Sequence, residues 1–292
     1  MNRPPTPDRR AHQRPATSDQ RPATSDQRGD HAVSIDRRPA PADLGKTTRA
    51  YVKAMGWRSV NLHTHISLVN RYVYVEVPKA GCGTMKATLG GMEAARLSAA
   101  AVGRVQENPH DRTKVTPFIK PYQLPSDLLE EVFHGRKWKR FTVVREPAAR
   151  LLSGYLEKIQ QGLKQSEPIL TALAEQGTPR ERPQDISFAE FATVVSRQAS
   201  RDQDPHWRRQ ADQIGYGIVD YDAVIHLEQL DASWGRVAEL TGVADLQDQF
   251  YCRNSTKAGA RVGELYTPDL LALVARTYAD DYAAFGYAPP TL

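Results

Sequence analysis

Cysteine is almost missing from this chain: Cys82 and Cys252 are the only two in 292 residues. Two are too few for a disulfide scaffold or a four-cysteine zinc site. No run of 18 apolar residues occurs, so no transmembrane segment is expected. The first residues lack the apolar core of a signal peptide, and Arg9-Arg10 is followed by polar residues rather than by a twin-arginine signal. A cytoplasmic location is the expectation. Positive charge is in modest excess, +5 overall. It is not gathered into a basic patch interleaved with aromatics, so no nucleic-acid partner is expected, although the balance suits an anionic ligand. Metal ligands are sparse as well. His63 and His65 flank Thr64, but no third ligand is spaced nearby, so they read as histidines of a short loop or edge strand and no metal is expected.

What is present falls into a tail and a domain. Residues 1–46 are rich in Pro, Arg, Ser and Asp and carry a tandem seven-residue repeat, Arg14–Gln20 followed by Arg21–Gln27. Two polar copies have no apolar face to stack, so a disordered tail is expected there. Residues 47–292 have the apolar content of a globular domain.

The domain is organised around Arg71–Leu89. Tyr72–Val77 reads as a strand of aromatic and β-branched residues, and Pro78 ends the ladder because it has no N–H. Gly81 and Gly83 permit a tight turn and a close approach to a ligand. A helix then begins near Thr84. A strand, a glycine-containing loop and a helix N-terminus together form an anion site, because unpaired N–H groups and the positive dipole end converge. Lys79, Ala80, Gly81, Cys82, Gly83, Thr84, Met85 and Lys86 are the candidate anion-binding residues, with Lys79 and Lys86 as the charges. Pro-Lys precedes the glycines and no Gly-Lys-Ser/Thr follows, so the loop lacks the Walker order of nucleotide triphosphatases.

Lys139–Gln160 is the second informative stretch. Phe141–Val144 reads as a buried strand ending at Arg145, and Pro147 opens a helix where its missing N–H costs nothing. Leu151, Leu152, Tyr155, Leu156 and Ile159 form that helix's apolar stripe. Ser153 falls off the stripe, on the side that faces back toward Arg145. An arginine at a strand's carboxyl end and a hydroxyl from the next helix can hold a phosphate by charge-assisted hydrogen bonds. The bland alternative is an arginine paired to Glu146 or Glu157.

Further along, Met92–Val102 is a helical candidate after the Gly90-Gly91 interruption, and residues 108–125 form a proline-punctuated loop with His110, Asp111, Arg112 and Lys114. Ser126 is placed to cap a short helix. Asp204-Pro-His-Trp207 precedes Tyr221–Glu228, where Val224–Leu227 reads as a third core strand. Arg253–Arg261 is a basic loop that includes Lys257 and Gly259. Thr267-Pro268-Asp269 starts a last helix whose stripe runs from Leu270 to Phe285.

These segments, in this order, resemble the carbohydrate-type sulfotransferase family, which includes the chondroitin sulfotransferases and their soluble bacterial relatives. Pro-Lys-x-Gly resembles that family's 5′-phosphosulfate loop, and Arg145-Glu-Pro-x-x-Arg-Leu-Leu-Ser-x-Tyr155 its 3′-phosphate segment. His206-Trp207 with Tyr221-Asp-x-x-x-x-Leu-Glu228 is also similar, and the loop holding Lys257 and Gly259 resembles the family's late donor-closing loop. The cysteine-rich pattern around the His-Trp region of the membrane enzymes is missing. The resemblance implies 3′-phosphoadenosine 5′-phosphosulfate as donor, no metal, and a carbohydrate or small-molecule hydroxyl or amine as acceptor. It implies Lys79 as the catalytic cation and Arg145 and Ser153 as the 3′-phosphate clamp. For the general base, His110 stands first, His206 second and Glu131 third.

The expected fold is α/β, a P-loop-like, mainly parallel sheet flanked by helices, in a single domain with a disordered N-terminal tail. Two other functions stay open on the residues alone: a P-loop kinase, and a non-catalytic adenine-nucleotide-binding module.

Overall fold

The computed structural model describes residues 40–110, 116–243, 246 and 261–289; the tandem repeat lies outside them. Helices α1 (Lys46–Met55) and α2 (Trp57–His63) lead into strands β1 (Thr64–Ser67) and β2 (Tyr72–Val75). Helices α3 (Cys82–Ala95), α4 (Ala99–Glu107) and α5 (Ser126–His134) separate these from β3 (Lys139–Val144). Then come α6 (Pro147–Gly154), extended by a π-helical turn at Tyr155–Ile159, α7 (Glu167–Glu175), α8 (Phe188–Arg197), α9 (Gln210–Ile214) and β4 (Ala223–His226). The chain continues through α10 (Leu230–Thr241), α11 (Val262–Leu265), α12 (Pro268–Thr277) and α13 (Ala279–Phe285).

The strands form one sheet in the order β1-β2-β3-β4. β2, β3 and β4 run parallel, with Tyr72 opposite Lys139 and Phe141 opposite Ala223, while β1 pairs antiparallel with β2 at the edge. Alternation along the strands feeds two cores. Tyr72, Tyr74, Phe141, Val143 and Ile225 pack with Met85 and Leu89 of α3 and with Trp234 and Val237 of α10. Val73, Val75 and Val144 pack on the opposite face with Val132 of α5 and Phe285 of α13. Both faces are covered, which is why the strands read as nearly continuous apolar runs. A third cluster of α6, α7, α8 and α12 surrounds Phe188, Phe191 and Trp207. The architecture is α/β, as the sequence implies.

Several local readings need correction. The mixed pattern of Thr47–Asn70 conceals α1 and α2. The buried stripe of α1 is Thr48, Tyr51 and Met55, which has helical spacing but only two apolar members. Gly90-Gly91 does not interrupt α3. A Cβ at Gly90 would lie 2.5 Å from Val105, and one at Gly91 2.9 Å from Gln106, so the pair is a notch that lets α4 pack closely. Ser126 is the first residue of α5 and caps nothing; Pro125 occupies the N-cap. The last apolar stripe is two helices broken at Tyr278, whose hydroxyl donates to the Trp207 carbonyl at 2.6 Å.

Candidate functional site for anion binding and transfer

The end of β2 delivers the chain into Glu76-Val77-Pro78-Lys79-Ala80-Gly81 and then into α3. Gly81 is the N-cap of that helix with φ +72°, where an L side chain is strained. Lys79 adopts φ +72° as well, uncommon for a residue with a Cβ and costing about 1–2 kcal/mol by general helix-handedness sterics. No side chain caps α3 and no acidic residue lies in its first turn. The first-turn N–H groups, from Cys82 onward, therefore face an anion-favouring end of a fourteen-residue helix. Cys82 and Met85 are in that helix; Met85 is core, and burial pushes the Cys82 thiol above its usual range, which keeps it unreactive.

Three basic side chains meet at this loop, each in a different way. Lys79 pairs through Nζ with Glu157 of the π turn. Burial pushes the Lys79 ammonium down and Glu157 opposes that shift; partial burial pushes Glu157 up, but Lys158 and Lys79 outweigh it and hold the carboxyl at about 2. Arg145, at the carboxyl end of β3, donates from Nη1 to the Lys79 carbonyl at 3.2 Å. Its backbone is fixed by Gln210, which accepts from its N–H at 2.9 Å and donates to its carbonyl at 2.7 Å. Among the described residues the Arg145 guanidinium forms no ion pair, although burial pushes its pKa down. Glu228, and after it Glu146, are the carboxylates whose charge opposes that shift, and each is held by other donors: Glu228 accepts from the Glu146 N–H at 2.9 Å and from the Tyr287 hydroxyl at 2.9 Å. Glu146 accepts from the Ala148 and Ala149 N–H groups at the start of α6 and from the Tyr282 hydroxyl, and Glu157 holds Lys79.

Arg150, to which the sequence reading gives no role, is the structural centre of the site. It is 1 % exposed. Its Nε donates to the Pro78 carbonyl at 2.9 Å, Nη1 to that of Arg208 at 2.7 Å, and Nη2 to that of Pro205 at 2.8 Å. One guanidinium thus ties the anion loop to the Asp204–Arg208 segment. Ser153 is buried on α6 three residues beyond Arg150 and four before Glu157, so it lies on the helix face that both of these direct at the loop.

Lys86 is placed differently from a second loop charge. It is buried and ion-paired to Glu76 at 2.6 Å, and its Nζ contacts His110 Nδ1 at 2.8 Å. Glu76 also receives His63 Nδ1 at 2.9 Å and His65 Nε2 at 3.1 Å, while Lys120 donates to His65 Nδ1 and to the Thr64 carbonyl, both at 3.0 Å. His65 lies on the edge strand β1, as the sequence implies, and His63 at the end of α2, but the pair is not idle there. It anchors, through Glu76, the root of the anion loop.

This network titrates in one direction. Burial raises the Glu76 pKa, but Lys86 and then the hydrogen bonds of His63 and His65 hold it well below the usual carboxylate range. Burial, and after it Lys120, holds His65 well below the usual 6.5. For both groups the unfolded chain takes up protons first as pH falls, so their contribution to stability is intact above about pH 6.5 and declines below it. The expected result is a melting temperature that falls from pH 7 toward pH 5, with the fall reduced in His65→Asn. A wild-type profile flat over that range would contradict the network.

Of the remaining sequence candidates, His206 is half-buried, and its Nδ1 lies 2.5 Å from Asp204 Oδ1. Asp204 in turn feels the charge of Lys158, which pairs with Glu157 at 2.6 Å, so His206 belongs to the same chain of charges as Lys79. Glu131 lies on α5, packed beside Gly135. Asp111, Arg112, Lys114, Lys257 and Gly259 lie outside the described residues. Hairpin arithmetic across β1 and β2 places Glu76 opposite His63. Glu157 sits seven residues from Arg150, on the same face. Those were the available signals for residues that motif reading passed over.

An uncapped helix end after a parallel strand, with a lysine in the loop and beside it an arginine that has no ion pair among the described residues, is an arrangement in an α/β protein that suits a phosphate-like anion. Residues 63–288 match the model of the sulfotransferase family. The chain therefore belongs to that family, transferases of the sulfuryl group. Neither a search of curated proteins nor one of solved structures returned a match. Among the described residues no helix is long and apolar enough to cross a membrane.

Proposed function

We propose that the chain transfers a sulfuryl group from 3′-phosphoadenosine 5′-phosphosulfate to a hydroxyl or amine of a carbohydrate or small molecule. The observation that most supports this donor is the half-buried Arg145 guanidinium, which has no carboxylate partner among the described residues. It lies one hydrogen bond from the backbone of Lys79, so two cationic positions flank an uncapped helix end. A donor with phosphates at both its 5′ and 3′ positions suits such a divided site. The loop N–H groups and Lys79 would hold the 5′ end; Arg145 with Ser153 would hold the 3′-phosphate. When bound, this donor supplies the sulfuryl group on a leaving phosphate. Lys79 supplies positive charge where the leaving oxygen becomes negative, and the fixed loop amides add to it without reorganising. To reach that position Lys79 must exchange Glu157 for the anion, a local side-chain movement.

Calorimetry of 3′-phosphoadenosine 5′-phosphate against ATP, each with and without magnesium, tests the reading. Binding of the bisphosphate should be magnesium-independent and stronger than that of ATP. Arg145→Ala should weaken it by about 10²-fold, the scale expected for removing one partner of a buried charge-assisted contact. Preference for magnesium-ATP would favour a kinase and overturn the donor assignment. Unchanged affinity in Arg145→Ala would remove the clamp.

A further inference from the structure

We infer that His206, held by Asp204, is the general base that takes the acceptor's proton. This deepens the sulfuryl-transfer reading and depends on it. The assignment comes from which nitrogen of each histidine is available. Asp204 is a carboxylate held below its usual range: burial raises it, but the hydrogen bonds and charge of His206 outweigh that. An ionised carboxylate only accepts, so the Nδ1 that lies 2.5 Å from Oδ1 carries a proton. The lone pair of neutral His206 is then on Nε2, which has no partner among the described residues. The same Asp204 oxygen accepts the His206 backbone N–H at 2.9 Å, which fixes the ring to its own main chain.

His110 has the opposite arrangement. The Lys86 ammonium can only donate, so its contact at 2.8 Å occupies the Nδ1 lone pair. The neutral ring must then carry its proton on Nε2 and has no basic nitrogen left. Glu157 pairs with Lys158 as well as with Lys79. Burial raises its carboxyl, but the Lys158 hydrogen bond is the largest influence lowering it, so it stays a poor base for a hydroxyl proton after Lys79 turns to the anion.

Position agrees with protonation. Arg150 grips the carbonyls of Pro78 and Pro205, and these are the residues immediately before Lys79 and His206. One buried guanidinium thus fixes the origins of the catalytic cation and of the base. The segment is held on its other sides too. Arg208 donates to the carbonyls of Ser200, Arg201 and Gln203, and Trp207 is buried against Phe191. A Cβ at Gly154 would lie 3.3 Å from the His206 carbonyl, so α6 runs directly beneath it. In the reaction the acceptor oxygen bonds to sulfur, the bond from sulfur to the bridging phosphate oxygen breaks, and its electron pair leaves with the bisphosphate. The acceptor's proton passes to His206 Nε2, and Asp204 balances the imidazolium. Asp204 acts through His206 and is a positioning residue.

The test uses the full chain. Turnover is read as bisphosphate release from the phosphosulfate donor, with simple sugars and phenols as added acceptors and water present as acceptor throughout. His206→Ala and His206→Asn should lower kcat by about 10²–10⁴-fold, the usual range for a general base. Affinity for 3′-phosphoadenosine 5′-phosphate should stay within about twofold of wild type, since the base makes no donor contact. Added imidazole should restore part of the turnover in His206→Ala and none in Lys79→Ala. Asp204→Asn should lower kcat by about tenfold or more, as losing the carboxylate behind a histidine base does elsewhere. Nitrogen-detected NMR should find the His206 proton on Nδ1 in the wild type. A proton on Nε2, turnover of His206→Asn within threefold of wild type, or a larger loss in His110→Ala than in His206→Ala would each overturn the assignment. Those results would leave the sulfuryl-transfer reading standing, because bisphosphate binding and the Lys79 variant test it separately.

Discussion

Lys79→Ala is expected to lower kcat by about 10³-fold, near the upper end of what removing one electrostatic stabiliser of a transition state costs. Affinity for the product bisphosphate should fall far less, because the loop amides and Arg145 remain. Two features of the ground state shape the experiment. Lys79 has φ +72°, so its backbone is strained before any chemistry begins. Its ammonium is tied to Glu157. Replacement by alanine keeps the strain and discards both the charge and the ion pair. Lys79→Gly discards the charge and relieves the strain, since glycine occupies the left-handed region freely. If charge is what matters, the two variants lose turnover equally, while Lys79→Gly melts no lower than Lys79→Ala. A Lys79→Ala enzyme within tenfold of wild-type kcat would mean that the loop amides carry the leaving group unaided.

The left-handed conformation of Lys79 also separates what was legible in the sequence from what was not. The order strand, Pro-Lys, glycines, helix was readable because proline and glycine restrict or free the backbone locally. The strands Tyr72–Val75 and Lys139–Val144 were readable because burial on both faces leaves an uninterrupted apolar run. Glu76 and Lys86 were not. On paper each is a charged residue beside a ligand loop, and only the antiparallel pairing of β1 with β2 turns Glu76 toward His63 and His65 and draws Lys86 inward. Arg145 was ambiguous for the same reason. Its lack of an ion pair among the described residues depends on Glu146, Glu157 and Glu228 having other partners, a fact about elements far apart in the chain rather than about one motif. Gly90-Gly91 misled in the opposite direction, because a helix breaker and a packing notch have the same composition.

Arg150→Met is expected to cost more stability than any surface change near the site. The side chain is buried, and its three hydrogen bonds all end on backbone carbonyls in two distant parts of the chain, Pro78 in the loop and Pro205 and Arg208 in the Asp204–Arg208 segment. Methionine fills much of the volume and relieves the cost of burying a cation, which burial alone already pushes below its usual pKa. It cannot donate, however, and each carbonyl left unsatisfied in a buried setting costs about 1–3 kcal/mol. With some relief from desolvation and from entering water, a net loss of about 3 kcal/mol is expected, or a melting temperature lower by about 6–12 °C for a domain of this size. Arg150→Lys tests geometry separately from charge. An ammonium retains the cation but cannot span three carbonyls with a planar fork, so it should recover only a small part of the loss. The functional signature follows from the same contacts. Releasing Pro78 frees the backbone of Lys79, and releasing Pro205 frees that of His206, so bisphosphate affinity and turnover should both fall even at temperatures where the variant is folded. An Arg150→Met protein that melts within about 2 °C of wild type would show that the loop and the Asp204–Arg208 segment hold their places without it.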